Sequence, residues 1–219
     1  MLKKAENKFF NALKSVLGEA YVQHNSKPPI VRINTKYEKN YYQDSVNKIA
    51  KSILKDFNST YDFSNTSISS NGAIIKHPQL GTRLVEFDEY QHLTPMRARI
   101  IELSQYELPL DFYDRYLKLI RTQEIKDEVQ KKTSRSGYRA KVAGFRFEEG
   151  RMYQRAFYAF LKDYAHLSEG YKNFSPIIRF AMPDFKPDLK AISHAQFLKI
   201  PDNEFQDIIS QELEKWRTK

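Results

Sequence analysis

Residues 73–88, AIIKHPQLGTRLVEFD, constrain this chain more than any other stretch. Two apolar runs, 73–76 and 83–88, flank HPQLGT, whose Pro78 and Gly81 mark a turn. That pattern predicts a β-hairpin. Around it lie helical patterns with apolar residues three and four apart. Residues 4–17 carry Phe10, Leu13 and Leu17; 41–56 carry Val46, Ile49, Ile53 and Leu54. Pro95 opens a short helix over 96–103, and 110–130 reads as one longer helix. Residues 151–167 place Met152, Ala156, Phe160 and Tyr164 on one stripe. PIIRF (176–180) reads as a buried strand and 202–216 as a closing helix. A short strand is expected within 27–36. No repeat or linker interrupts the series, so residues 1–219 are expected to form a single α/β domain.

The totals agree. A 219-residue chain is near the upper end for one domain, and its 15 Phe and 14 Tyr argue against disorder. The net charge of +9 favours anionic partners. The chain has no cysteine, which excludes disulfides and thiolate zinc sites. The N-terminus lacks the uninterrupted apolar run of a signal peptide, and no stretch has the length of a membrane span. A cytoplasmic protein without membrane contact is expected.

The hairpin's second strand ends in an acidic cluster, EFDEYQH. Side chains alternate along a strand, so Glu86 and Asp88 share one face with Leu84, while Val85, Phe87 and Glu89 take the other. Two carboxylates on one face repel each other unless a cation lies between them or one stays protonated. Mg2+, with Mn2+ as a substitute, suits such oxygen ligands and would activate a water for phosphodiester hydrolysis. The alternative is an exposed strand end paired with Arg83, Arg97 or Arg99. Glu6, on the apolar face of the first helix, is a further candidate acid.

In chain order, these residues are similar to a known pattern. The N-terminal helix fits E-x-x-F/W-x-x-L with Glu6, Phe9 or Phe10, and Leu13. LVEFDEYQH fits a strand reading apolar-apolar-E-x-D, then polar residues and His. RMYQRAFYAFL and PIIRF follow as a helix and a strand. The chain thus resembles the very-short-patch-repair-endonuclease-like branch of the PD-(D/E)xK nuclease superfamily, over about a third of its length. The resemblance implies a restriction-endonuclease-like fold, with a central mixed sheet flanked by helices. It also implies magnesium-dependent nuclease activity on double-stranded DNA. Asp88 and Glu86 match the metal-binding acids, His92 a water or phosphate contact, and Glu6 the first-helix acid. Arg155 matches a late-helix arginine that orients the acids or a phosphate. The chain departs from the pattern at three places. Asp88-Glu89 replaces an Asp-Gly, and the upstream acid would fall near Asn71 and Gly72, with Asp62 the nearest. The strand also lacks the superfamily lysine; Gln91 stands in its neighbourhood.

Substrate contacts are expected from a basic insertion around 131–147. It holds Lys131, Lys132, Arg135, Arg139, Lys141 and Arg146 and no acid. Such residues suit phosphate contacts, and Arg135 or Arg139 could read guanine. Arg151, Gln154 and Tyr158 share a second face of the late helix, and Arg151 and Gln154 join Arg155 as DNA-contact candidates. The expected function is a type II restriction enzyme, which its class makes a homodimer. A repair or phage-defence nuclease, a DNA-binding protein with a decayed site, and a protein-interaction module are the alternatives.

Overall fold

The computed structural model describes residues 2–24, 31–32, 44–62, 67–68, 72–105, 107–134, 136–168, 171, 173–186 and 191–217. In chain order these form α1 (Leu2–Leu17), β1 (Val22–His24), β2 (Val31–Arg32), α2 (Asp44–Asp56), β3 (Ser67–Ile68), β4 (Ala73–His77) and β5 (Gly81–Asp88). Then follow α3 (Pro95–Ser104), α4 (Tyr113–Arg121), α5 (Gln123–Thr133), α6 (Ser136–Arg139), α7 (Gly150–Asp163), β6 (Ile178–Ala181), α8 (His194–Lys199) and α9 (Asp202–Arg217).

The predicted hairpin forms as β4 and β5, antiparallel, with Ala73 opposite Val85 and His77 opposite Gly81. Gly81 has φ +69°, a left-handed backbone that glycine adopts without steric cost. β1 extends the sheet antiparallel to β4, and β6 adds on the other side parallel to β5. The order β1-β4-β5-β6 is therefore a mixed sheet. β2 and β3 pair separately. Helices flank the four-stranded sheet, and one hydrophobic cluster runs through the described residues. The chain is a single α/β domain.

The two faces of β5 meet different layers. Phe87 stacks on Phe9 of α1 at 4.8 Å and lies 5.4 Å from Phe197 of α8. Arg83, on the same face, has its guanidinium 5.2 Å over Trp216 of α9. Glu86 and Asp88 point the other way, toward α4 and α7. From Arg83 to Asp88 every residue is buried, because β5 is an inner strand covered on both sides.

Pro95 opens α3 as expected, and the Thr94 side chain caps it by accepting from Arg97 N at 3.2 Å. The expected single helix over 110–130 is two helices. Thr122 takes an extended backbone (ψ 130°) between α4 and α5, which lets each bury its own apolar stripe. The expected basic insertion is not one loop: Lys131 and Lys132 close α5, and Arg139 ends the short α6. A Val142–Phe145 bridge then makes a tight turn.

Candidate functional site

The strand end is not an exposed tip. Asp88 is 2% exposed and Glu86 7%, and an ionised carboxylate so far from water needs charged partners. None of Arg83, Arg97 and Arg99 pairs with them. Arg83 donates to the carbonyls of Leu80 and Pro176, Arg97 to Asp163 and Arg99 to Asp56. The partners come from segments distant in sequence. Arg179 of β6 donates to Asp88 Oδ2 at 2.7 Å, and the Tyr116 hydroxyl donates to the same oxygen at 2.8 Å. Lys162 of α7 donates to both oxygens of Glu86, at 3.2 and 3.3 Å.

Arg179 reaches this position because β5 and β6 are parallel and in register, with Glu86 opposite Arg179. Its Nε donates to Asp163 Oδ1 at 2.6 Å and its Nη2 to the Ala159 carbonyl at 3.3 Å. Arg97 bonds the other oxygen of Asp163. The result is a buried chain of alternating charge, Asp88–Arg179–Asp163–Arg97. Around it, Tyr113 and Tyr164 share a hydroxyl–hydroxyl bond of 2.6 Å, and Tyr164 donates to the Leu108 carbonyl.

The electrostatics follow from this geometry. Burial alone would raise the Asp88 pKa, but Arg179, His92 and the Tyr116 hydroxyl outweigh it and hold the carboxyl well below the usual range. Asp88 is therefore an anion at every physiological pH. Desolvation beside the buried cluster lowers the His92 pKa against the pull of Asp88, although its side chain is 37% exposed. Its Nδ1 stands 3.8 Å from Asp88 Oδ1, the carboxylate oxygen that neither Arg179 nor Tyr116 takes.

The side chains at this strand end are thus Glu86, Asp88 and His92, with His92 beside Asp88 and with Lys162 paired to Glu86. Sequence reasoning named the first three and missed Lys162, Arg179, Tyr116 and Asp163. Lys162 stands one residue before the buried Asp163 in α7, and Arg179 lies inside PIIRF, a segment already assigned as a buried strand. A charge inside an apolar strand was the signal available for Arg179.

The other expected site residues fall elsewhere. Glu6 sits on α1, in the layer that packs on the Phe87 face, opposite the carboxylates. Gln91 turns to Glu89, donating to its Oε2 at 3.0 Å. Glu89 also lies 3.4 Å from His194 Nε2, and Lys132 lies 3.4 Å from the Nδ1 of the same ring. Arg155 does not reach the acids: its guanidinium lies 4.4 Å over the Tyr138 ring. The arginine that contacts Asp88 is Arg179. Arg151 donates to Gln154 Oε1 at 2.9 Å, so that face of α7 does gather its polar residues, with Gln154 buried. Tyr158 bonds the Tyr61 hydroxyl at 2.9 Å. Arg139, Lys141 and Arg146 are exposed, and Lys131 pairs with Glu128 at the surface. Arg135 and Asn71 lie outside the described residues.

Among the described residues no three His, Asp or Glu side chains surround a common point. At this strand end the described residues offer a divalent cation two carboxylates, Glu86 and Asp88. That suits Mg2+, which typically keeps several waters and takes one or two carboxylates plus substrate phosphate oxygens. Glu86 and Asp88 Oδ1, on one face of β5, are oxygen donors of the kind such an ion takes. No helix among the described residues is long and apolar enough to cross a membrane. No family model, no curated protein and no solved structure matches this chain.

Proposed function

We propose that the protein is a magnesium-dependent DNA endonuclease of the PD-(D/E)xK type, with a type II restriction enzyme as the first assignment and repair or phage defence as related roles. The observation that carries this reading is that Glu86 and Asp88 share one face at the end of β5, with Lys162 paired to Glu86. The nuclease pattern asks for two acids and a lysine, and the pairing of Lys162 of α7 with Glu86 supports this reading although the strand itself has no lysine. Asp88 and Glu86 would hold the ion, which when bound would polarise the scissile phosphate and acidify a water. Asp88 is kept ionised and oriented by Arg179 and Tyr116, which leaves Oδ1 as its available oxygen. His92, at the partly exposed rim, accepts a proton from a water or positions a phosphate oxygen. Lys162 supplies positive charge to the phosphoryl group as negative charge develops there. The exposed Arg139, Lys141 and Arg146 give the surface cations that phosphate contacts need.

The test is plasmid cleavage with Mg2+, comparing the native chain with Glu86→Gln and Asp88→Asn. Both variants keep the side-chain shape, and circular dichroism verifies their folding. Each is expected to lose at least about 100-fold in rate. Equal cleavage by both folded variants would remove the assignment. A second reading, a DNA-binding protein that does not cut, draws on the charge balance of the cluster, in which Arg179 and Lys162 already offset both acids. Salt-dependent DNA binding that is unaffected by Mg2+ and accompanied by no cleavage would favour it.

A further inference from the structure

The two cations on the acidic pair are held very differently. Arg179 is locked. It is 2% exposed, touches Asp88, Asp163 and the Ala159 carbonyl, and cannot lose its charge. Lys162 sits in the last turn of α7 on a flexible four-carbon stem, with its side chain 16% exposed. Its ammonium lies nearly equidistant from the two oxygens of Glu86 and so spans the oxygens a metal ion would need.

We propose that Lys162 is a built-in stand-in cation, occupying Glu86 in the metal-free protein and released from it when a divalent ion enters, so that its ammonium becomes available to the substrate phosphate. This rests on the proposed nuclease reading, whose metal site it concerns. The charge count supports it. In the ion pairs seen among the described residues, Glu86, Asp88 and Asp163 carry three negative charges, and Lys162, Arg179 and Arg97 carry three positive ones. A divalent ion added to that neutral set repels its nearest cations. Only Lys162 has both the exposure and the freedom to withdraw; Arg179 would leave two buried carboxylates unpaired. Lys162 therefore opposes metal binding while assisting the chemistry.

Two effects of opposite sign follow. Lys162→Met should bind Mn2+ at least about tenfold more tightly, because a like charge within a few ångströms is gone. The same variant should lose DNA cleavage. Lys162→Arg, which keeps the charge, should not gain affinity. Glu86→Gln should bind Mn2+ more weakly than the native chain. The measurement is calorimetric titration of Mn2+ alone into each full-length protein, with cleavage assayed separately. Thermal melting with and without Mn2+ gives a second affinity readout should Lys162→Met lose stability. A folded Lys162→Met whose Mn2+ affinity is unchanged or weaker overturns the inference, even where the native chain cuts DNA. Absence of Mn2+ binding by the native chain and Lys162→Met alike overturns it too. A tighter Lys162→Met together with a native chain that cuts no DNA upholds the exchange and removes the nuclease reading instead.

Discussion

Asp163→Ala tests the buried charge chain most directly. Asp163 is wholly buried and accepts from two guanidiniums, those of Arg97 and Arg179. Its removal leaves Arg179 with Asp88 and the Ala159 carbonyl. Arg97 fares worse: it is 1% exposed, loses the carboxylate it bonds, and its Nη1 already has no hydrogen-bond partner among the described residues. Removing one partner of a buried ion pair costs about 3–5 kcal/mol, because the remaining charge stays desolvated and unpaired. In a domain of this size each kcal/mol lowers Tm by about 2–4 °C, so the melting point should fall by roughly 6–20 °C. Urea denaturation followed by circular dichroism measures the free energy. The double variant Arg97→Met/Asp163→Leu should cost clearly less than the two single changes added together, since it removes the orphaned charge as well. A single-variant cost under about 1 kcal/mol, or strict additivity in the cycle, would refute the account of these residues as a coupled buried network.

Acid stability should depend on Asp88. Its pKa is depressed in the folded protein, while the unfolded chain takes its proton near the ordinary value of about 3.9. Between those two values the unfolded state binds the proton and the folded state does not, so stability rises with pH there. The contribution is complete above about pH 5 and is lost as pH falls through about 4 and below. Urea midpoints between pH 2 and 7 should show a shallower acid slope for Asp88→Asn. Gly144→Ala should cost about 1–3 kcal/mol by the same denaturation assay. Gly144 has φ +80°, and an added Cβ would come within 2.6 Å of the Tyr61 side chain. Replacing Arg139, Lys141 and Arg146 together by Ala should weaken DNA binding across all sequences. The slope of log affinity against log salt should fall by about 2–3, which a fluorescence titration at several salt concentrations would reveal.

Much of the architecture was legible in the chain because local patterns are short-range. The hairpin followed from two apolar runs and a Pro/Gly turn. The outer helices followed from apolar spacing, and α3 from Pro95. The break at Thr122 was not legible: the apolar pattern continues across it, and only separate docking of α4 and α5 bends the backbone there. The pattern likewise gave no sign that Lys131 and Lys132 end a helix and do not begin a loop.

The acidic end of β5 divides along the same line. Strand alternation alone determined that Glu86 and Asp88 share a face and that Phe87 opposes them, since a period of two admits no other arrangement. Tertiary structure decided what meets that face. Register between parallel strands 91 residues apart in sequence carries Arg179 to Asp88. The packing of α7 carries Lys162 to Glu86, across 76 residues. Spacing in sequence holds no information about either meeting, because both depend on how the chain returns after long connections. For the same reason spacing gave no sign that α1, the helix carrying Glu6, packs on the Phe87 face, across the sheet from the carboxylates.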